Sequence, residues 1–156
     1  MILSRWSRTL LVALLLLGAP ALRPVSAADS MAAGRDSLYK RLGGYDAIAA
    51  VTDDFLGRLL AEPRFVKFFA GASNDSKQRI RQHIVDQLCM ATGGPCVYTG
   101  RTMKASHAGL GISEEDWNVA VGDLVATLNK FRVPAAEQGE LAAILNAVKS
   151  DIVEKK

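Results

Sequence analysis

Residues 37–156 encode an all-α domain, and three signs say so. Apolar residues recur every three or four positions in long segments. Helix-start residues such as Ser113 and helix-ending glycines such as Gly43-Gly44 and Gly93-Gly94 flank those segments. No stretch offers a convincing strand pair, an internal repeat or a domain boundary.

Ser37 to Arg41 reads as a short helix stopped by Gly43-Gly44. In Tyr45 to Leu60, Ile48, Val51, Phe55, Leu59 and Leu60 keep helical spacing. Pro63 ends that helix or starts a helical turn, and Arg64 to Phe69 closes with two phenylalanines. Gly71 to Asp75 is a loop in which Asn74 or Asp75 serves as cap. Ser76 to Thr92 is a helix with Ile80, Ile84, Gln87, Leu88 and Ala91 on one face and His83 on its shoulder. Pro95 to Arg101 is a connection, and Met103 to Leu110 a short helix ended by Gly111. Ser113 then caps a helix with acids in its first turn, running to about Lys130, with Trp117, Val121, Leu124, Val125 and Leu128 inward. Pro134 suits the first turn of the last helix, whose apolar face is Leu141, Ile144, Leu145, Val148 and Ile152.

The first residues have another character. Arg5 and Arg8 precede the apolar run from Thr9 to Leu17, and Val25-Ser26-Ala27 is a small-x-small cleavage signal. The run is too short to span a bilayer as a stable helix. Residues 1–27 therefore read as a signal peptide removed after Ala27, with an uncleaved anchor as the alternative. Residues 28–36 read as a flexible extension. The expected compartment is the periplasm, with no membrane attachment after cleavage. Removing 1–27 takes three of the 19 basic residues and none of the 16 acids. A mature chain with no net charge gives no electrostatic case for nucleic acid. Its length suits one domain with one core.

Cys89 and Cys96 both lie in the mature part. Export makes a disulfide possible. Along an unbroken helix their Cα atoms would stand roughly 10 Å apart, too far to bridge. The helix must end first, at Gly93-Gly94, for a bond to form; otherwise both thiols stay free. No Cys-x-x-Cys-His occurs, so haem attachment of the c type is not indicated.

The chain holds two histidines, His83 and His107. His107 follows Gly93-Gly94-Pro95 and Tyr98-Thr99-Gly100-Arg101 and sits in Met103-Lys104-Ala105-Ser106-His107-Ala108-Gly109-Leu110-Gly111-Ile112. With Leu38-Tyr39-Lys40-Arg41-Leu42-Gly43-Gly44 and Phe68-Phe69, this pattern resembles the group 1 truncated haemoglobins from Leu38 to the C-terminus. The resemblance implies a two-on-two helical sandwich around non-covalent haem b, with His107 as the proximal iron ligand. An Nδ1–H bond to a carbonyl one turn earlier, at Met103, would leave Nε2 for the metal.

The resemblance also assigns the remaining site. Phe68 or Phe69 would wedge the haem edge, Met103 would pack on the porphyrin, and Lys77 and Arg101 would pair with propionates. Here the chain departs from its relatives: Phe55-Leu56 stands where many have Phe-Tyr. A distal glutamine counted back from Gly93-Gly94 falls on Ile84, with Ile80 as the other pocket position. Leu56, Ile80 and Ile84 give bound oxygen no polar partner, which disfavours tight oxygen storage. The same count puts His83 where some members carry a sixth iron ligand. Aligning on Lys77-Gln78-Arg79 instead moves that position to Arg81 and leaves His83 facing solvent. The implied work is binding of gases such as O2, NO or CO, or haem redox chemistry, including NO oxidation fed by an unidentified electron donor, in a monomer. The competing readings are a haem-free helical interaction module and a haem carrier.

Overall fold

The computed structural model describes residues 36–155. The expected leader, and all but the last residue of the expected extension, lie outside the described residues. Eight helices follow in order: α1 Leu38–Arg41, α2 Gly44–Ala61, α3 Val66–Phe69, α4 Asn74–Ala91, α5 Met103–His107, α6 Glu114–Lys130, α7 Ala135–Ala147 and α8 Lys149–Ile152. Among the described residues there is no strand, only an isolated bridge between Ser113 and Lys155. The all-α expectation holds.

Helix α2 is the centre of the packing, with α4 on one side and α6 on another. It buries Ile48, Thr52 and Leu56, one residue per turn. Ile48 meets Val85 and Cys89 of α4, with Tyr39, Leu88 and Cys96 around them. Where α2, α4, α6 and α7 converge, a void of about 20 Å³ lies between Val51, Leu88, Leu128 and Leu141. That is room for about one water.

Polar anchors fix the angles between helices. Asp54 of α2 accepts from Arg58 Nε at 2.8 Å, from Thr127 Oγ1 at 2.9 Å and from Lys130 Nζ. The Lys130 bond, then that of Arg58, holds the Asp54 carboxyl well below the usual carboxylate range against its burial. At the head of α6, Ser113 and Asp116 form a capping box. Arg64 reaches across to Asp116 at 3.1 Å and Glu115 at 2.6 Å, tying the approach to α3 onto α6. The Asp116 carboxyl is lowered to about 2, first by the backbone N–H of Ser113.

Several expectations need correction. The cap of α4 is Ser73, whose Oγ accepts from Ser76 N at 3.2 Å, and neither Asn74 nor Asp75. Helix α5 stops at His107, before the expected Leu110. The α4 face sealed against α2 is Val85 and Cys89, more than a third of a turn from the Ile80–Ile84–Ala91 stripe that the resemblance turns toward haem. Half of the sealed face is polar: Arg81 pairs with Asp53 at 2.6 Å and Gln82 with the Tyr45 hydroxyl at 2.8 Å. In α6, Val125 is 43 % exposed, and the fully buried residue of that turn is Thr127, drawn in by Asp54. The last helix breaks at Val148 into α7 and α8.

Candidate haem site

His107 is the last residue of α5, a helix of five residues. Thr102 caps its start, accepting from Ala105 N at 3.2 Å. His107 Nδ1 lies 2.8 Å from the Met103 carbonyl oxygen. A carbonyl only accepts, so Nδ1 carries the proton and, in the neutral ring, Nε2 presents its lone pair. Gly109 and Gly111 follow with φ of +80° and +65°, and their N–H groups donate to the Glu154 carboxylate at 2.7 and 2.5 Å. Those two bonds, Gly109 first, lower the Glu154 carboxyl from its ordinary value.

Across the chain, α4 carries His83. The ring is half-buried rather than solvent-facing, and its Nδ1 is buried with no hydrogen-bond partner. Tyr98 meets it edge-on, ring centres 5.9 Å apart at 78°. The Tyr98 hydroxyl donates to Arg101 O at 2.6 Å, which folds the connection back on itself.

That connection is pinned to α4 by a disulfide between Cys89 and Cys96, Cα–Cα 5.7 Å. The helix ends as the bridge requires. Thr92 caps it, its hydroxyl donating to Leu88 O at 2.7 Å, and Gly94 N returns to Cys89 O at 2.8 Å. A Cβ on Gly94 would stand 2.5 Å from the Tyr39 ring and 2.7 Å from Cys89 Sγ. Only glycine lets the chain turn over the sulfur.

The other expected site residues are dispersed in burial. Leu56 is buried in α2, Ile84 is half-buried and Ile80 is 37 % exposed. Ile80 and Ile84 share the side of α4 that turns away from α2, with His83 on its shoulder. Met103 is half-buried and gives its carbonyl to His107. Lys77 is half-buried and Arg101 exposed, and neither pairs with another described side chain. Phe68 and Phe69 are half-buried on α3, with Lys67 Nζ 4.7 Å above the Phe68 ring. The buried aromatic of this region is Phe65, 5 % exposed and 6.1 Å from Phe68. Sequence reasoning missed it because it precedes the helix it supports.

Among the described residues no three His, Cys, Asp or Glu side chains converge to hold a bare metal ion. The site instead offers one locked imidazole with a free Nε2 and, on another helix, an apolar flank shouldered by a second imidazole. That donor set, in a two-layered helical domain, fits haem and defines a globin-type protein.

The chain belongs to the bacterial-like globin family, whose model matches residues 37–154. It is 36 % identical over 115 residues to the group 1 truncated hemoglobin GlbN of Synechocystis, covering 71 % of this chain and 90 % of that protein. Over 116 residues it is 31 % identical to GlbN of Mycolicibacterium paratuberculosis, covering 74 % and 83 %. The crystal structure of truncated hemoglobin from Tetrahymena pyriformis in its Fe(III) form superposes with a TM-score of 0.70 at 28 % identity, over 77 % of this chain and 100 % of that one. The 2/2 hemoglobin of Synechococcus, solved with covalently attached heme, gives 0.68 at 28 %, over 76 % and 98 %. The two-on-two arrangement is thus the fold of this chain.

Proposed function

We propose that this chain is an exported truncated globin that holds haem b non-covalently through His107, with His83 as the sixth ligand when no gas is bound. One observation carries the reading: His107 Nδ1 is committed to Met103 O at 2.8 Å, which leaves Nε2 as the free donor atom. Haem supplies an iron that binds diatomic gases and changes oxidation state.

The residues around it set how that iron is used. Leu56, Ile80 and Ile84 donate no side-chain hydrogen bond, so a polar bound gas gains nothing from them. His83 Nδ1 has no partner to lose, so its ring can swing without breaking a hydrogen bond. Lys77 and Arg101, without ion pairs to other described residues, are available to the propionates. A site with two imidazoles favours electron exchange with a donor protein, or a gas response in which His83 must first leave. The protein acts as a monomer.

Export rests on Arg5, Arg8 and Val25-Ser26-Ala27, and the Cys89–Cys96 disulfide suits an oxidising compartment. The exported protein should start at Ala28, as N-terminal sequencing would read. For the haem assignment, His107→Ala should strip haem from the purified protein. A variant with unchanged haem content and absorption spectrum would refute it. Extraction of the haem by acidified organic solvent tests the absence of a covalent link.

A further inference from the structure

We propose that Glu154 is a positioning residue for His107: its carboxylate clamps the loop after α5 and so sets the rotation of the axial imidazole. The inference rests on His107 being the haem ligand.

A helix of five residues does not hold itself in water. Its own bonds fix His107 relative to Met103 but not relative to the rest of the fold. Among the long helices none packs extensively on α5; its main contact is α8, four residues long. The segment that follows α8 supplies the missing anchor. Glu154 Oε1 takes Gly109 N at 2.7 Å and Oε2 takes Gly111 N at 2.5 Å. The backbone around that carboxylate is paired to the same loop. Glu154 N and Lys155 N donate to Ile112 O at 2.8 and 3.1 Å, and Glu114 N donates to Lys155 O at 3.0 Å.

The chemistry singles out a carboxylate. Two adjacent N–H donors need two acceptor oxygens, and bonds to an ionised acceptor are about twice as strong as neutral ones. A glutamine would keep one bond and turn an NH2 toward the second N–H. Glu154 is exposed, so water screens each bond, but the flanking backbone pairs hold the side chain in place. Gly109 and Gly111 both have left-handed φ, which lets their N–H groups face one side chain two residues apart. Leu110 N returns to His107 O at 3.1 Å, so a shift at Gly109 is passed directly to the histidine backbone.

The test uses the haem-loaded ferric protein with cyanide bound, which occupies the sixth position. The spread of the four haem methyl proton resonances in that complex reports the azimuth of the axial imidazole. Glu154→Ala and the near-isosteric Glu154→Gln should each redistribute those shifts. Haem release to excess apomyoglobin should quicken roughly tenfold, the usual scale for losing a group that orients a ligand. Glu137→Gln, which removes a remote ion pair to Arg41, controls for general destabilisation and should change neither. Methyl shifts and release rates equal to wild type in folded Glu154→Gln would overturn the proposal. If instead His107→Ala left the wild-type pattern intact, the haem assignment itself would fall, and this inference with it.

Discussion

Reducing the Cys89–Cys96 bridge should cost the domain about 2.5 kcal/mol. The two cysteines are seven positions apart, so the bond closes a small loop. Chain-entropy accounting for a loop of about eight residues gives roughly 8 cal/mol/K, or about 2.5 kcal/mol at 25 °C. For a domain of this size one kcal/mol moves the melting temperature by roughly 4 °C, so a drop of about 10 °C is expected. Haem-loaded protein, melted with and without reductant at one fixed haem concentration, is the assay, because bound haem itself raises the midpoint. A Cys89→Ala, Cys96→Ala double variant should melt lower still, since Cys89 is fully buried and its sulfur fills core space. The reductant should leave that variant unmoved. A wild-type midpoint that shifts by less than about 3 °C, with both thiols shown free, would refute the argument. It would mean that the Gly94 turn and the Thr92 cap already hold the connection in the unfolded ensemble.

The ferrous, gas-free protein should show a low-spin six-coordinate spectrum, and His83→Leu should make it five-coordinate and high-spin with faster carbon monoxide binding. A wild-type spectrum that is already five-coordinate and unaltered by the change would leave His83 no role at the iron. Asp116→Asn should weaken the head of α6 by roughly 1–3 kcal/mol, since it removes a charged partner from Ser113 and Arg64. The pH dependence has a definite sign. The folded pKa of Asp116 lies at about 2, below its ordinary 3.8. Its contribution is present above about pH 4 and is lost as pH falls through about 2. Acid titration of stability between those limits should be steeper in wild type than in the variant; parallel curves would contradict it.

The long helices were legible from their apolar periods, as along Ile48, Val51, Phe55 and Leu59, and α6 also from its Ser113 cap. His107 stood out through its motif, and the geometry explains why that motif has its form: Gly94 passes over a sulfur, and Met103 supplies the carbonyl for His107. What stayed hidden depends on partners far along the chain. Thr127 is buried because Asp54 accepts its hydroxyl, which no local pattern announces. The wheel showed the apolar stripe of α4 but not its α2-facing side, because Arg81 and Gln82 reach to α2 from half of that side and count as solvent-facing. Glu154 looked like one more charge near a terminus. Its role lies in two glycine N–H groups more than forty residues earlier.

That separation has a consequence for how the protein comes to life. A ribosome adds roughly 5–20 residues per second, so His107 emerges several seconds before the residue that closes its loop. During that interval α5 is a short helix without its anchor, and haem meeting the chain would find a loose imidazole. On the proposed ligation by His107, firm haem capture waits for Glu154 to fold back onto Gly109 and Gly111. For a chain threaded unfolded through a membrane, loading belongs to the far side, after the last turn of α8 has docked. The stretch around Glu154 acts as a latch that closes on the His107 loop only once it has been made.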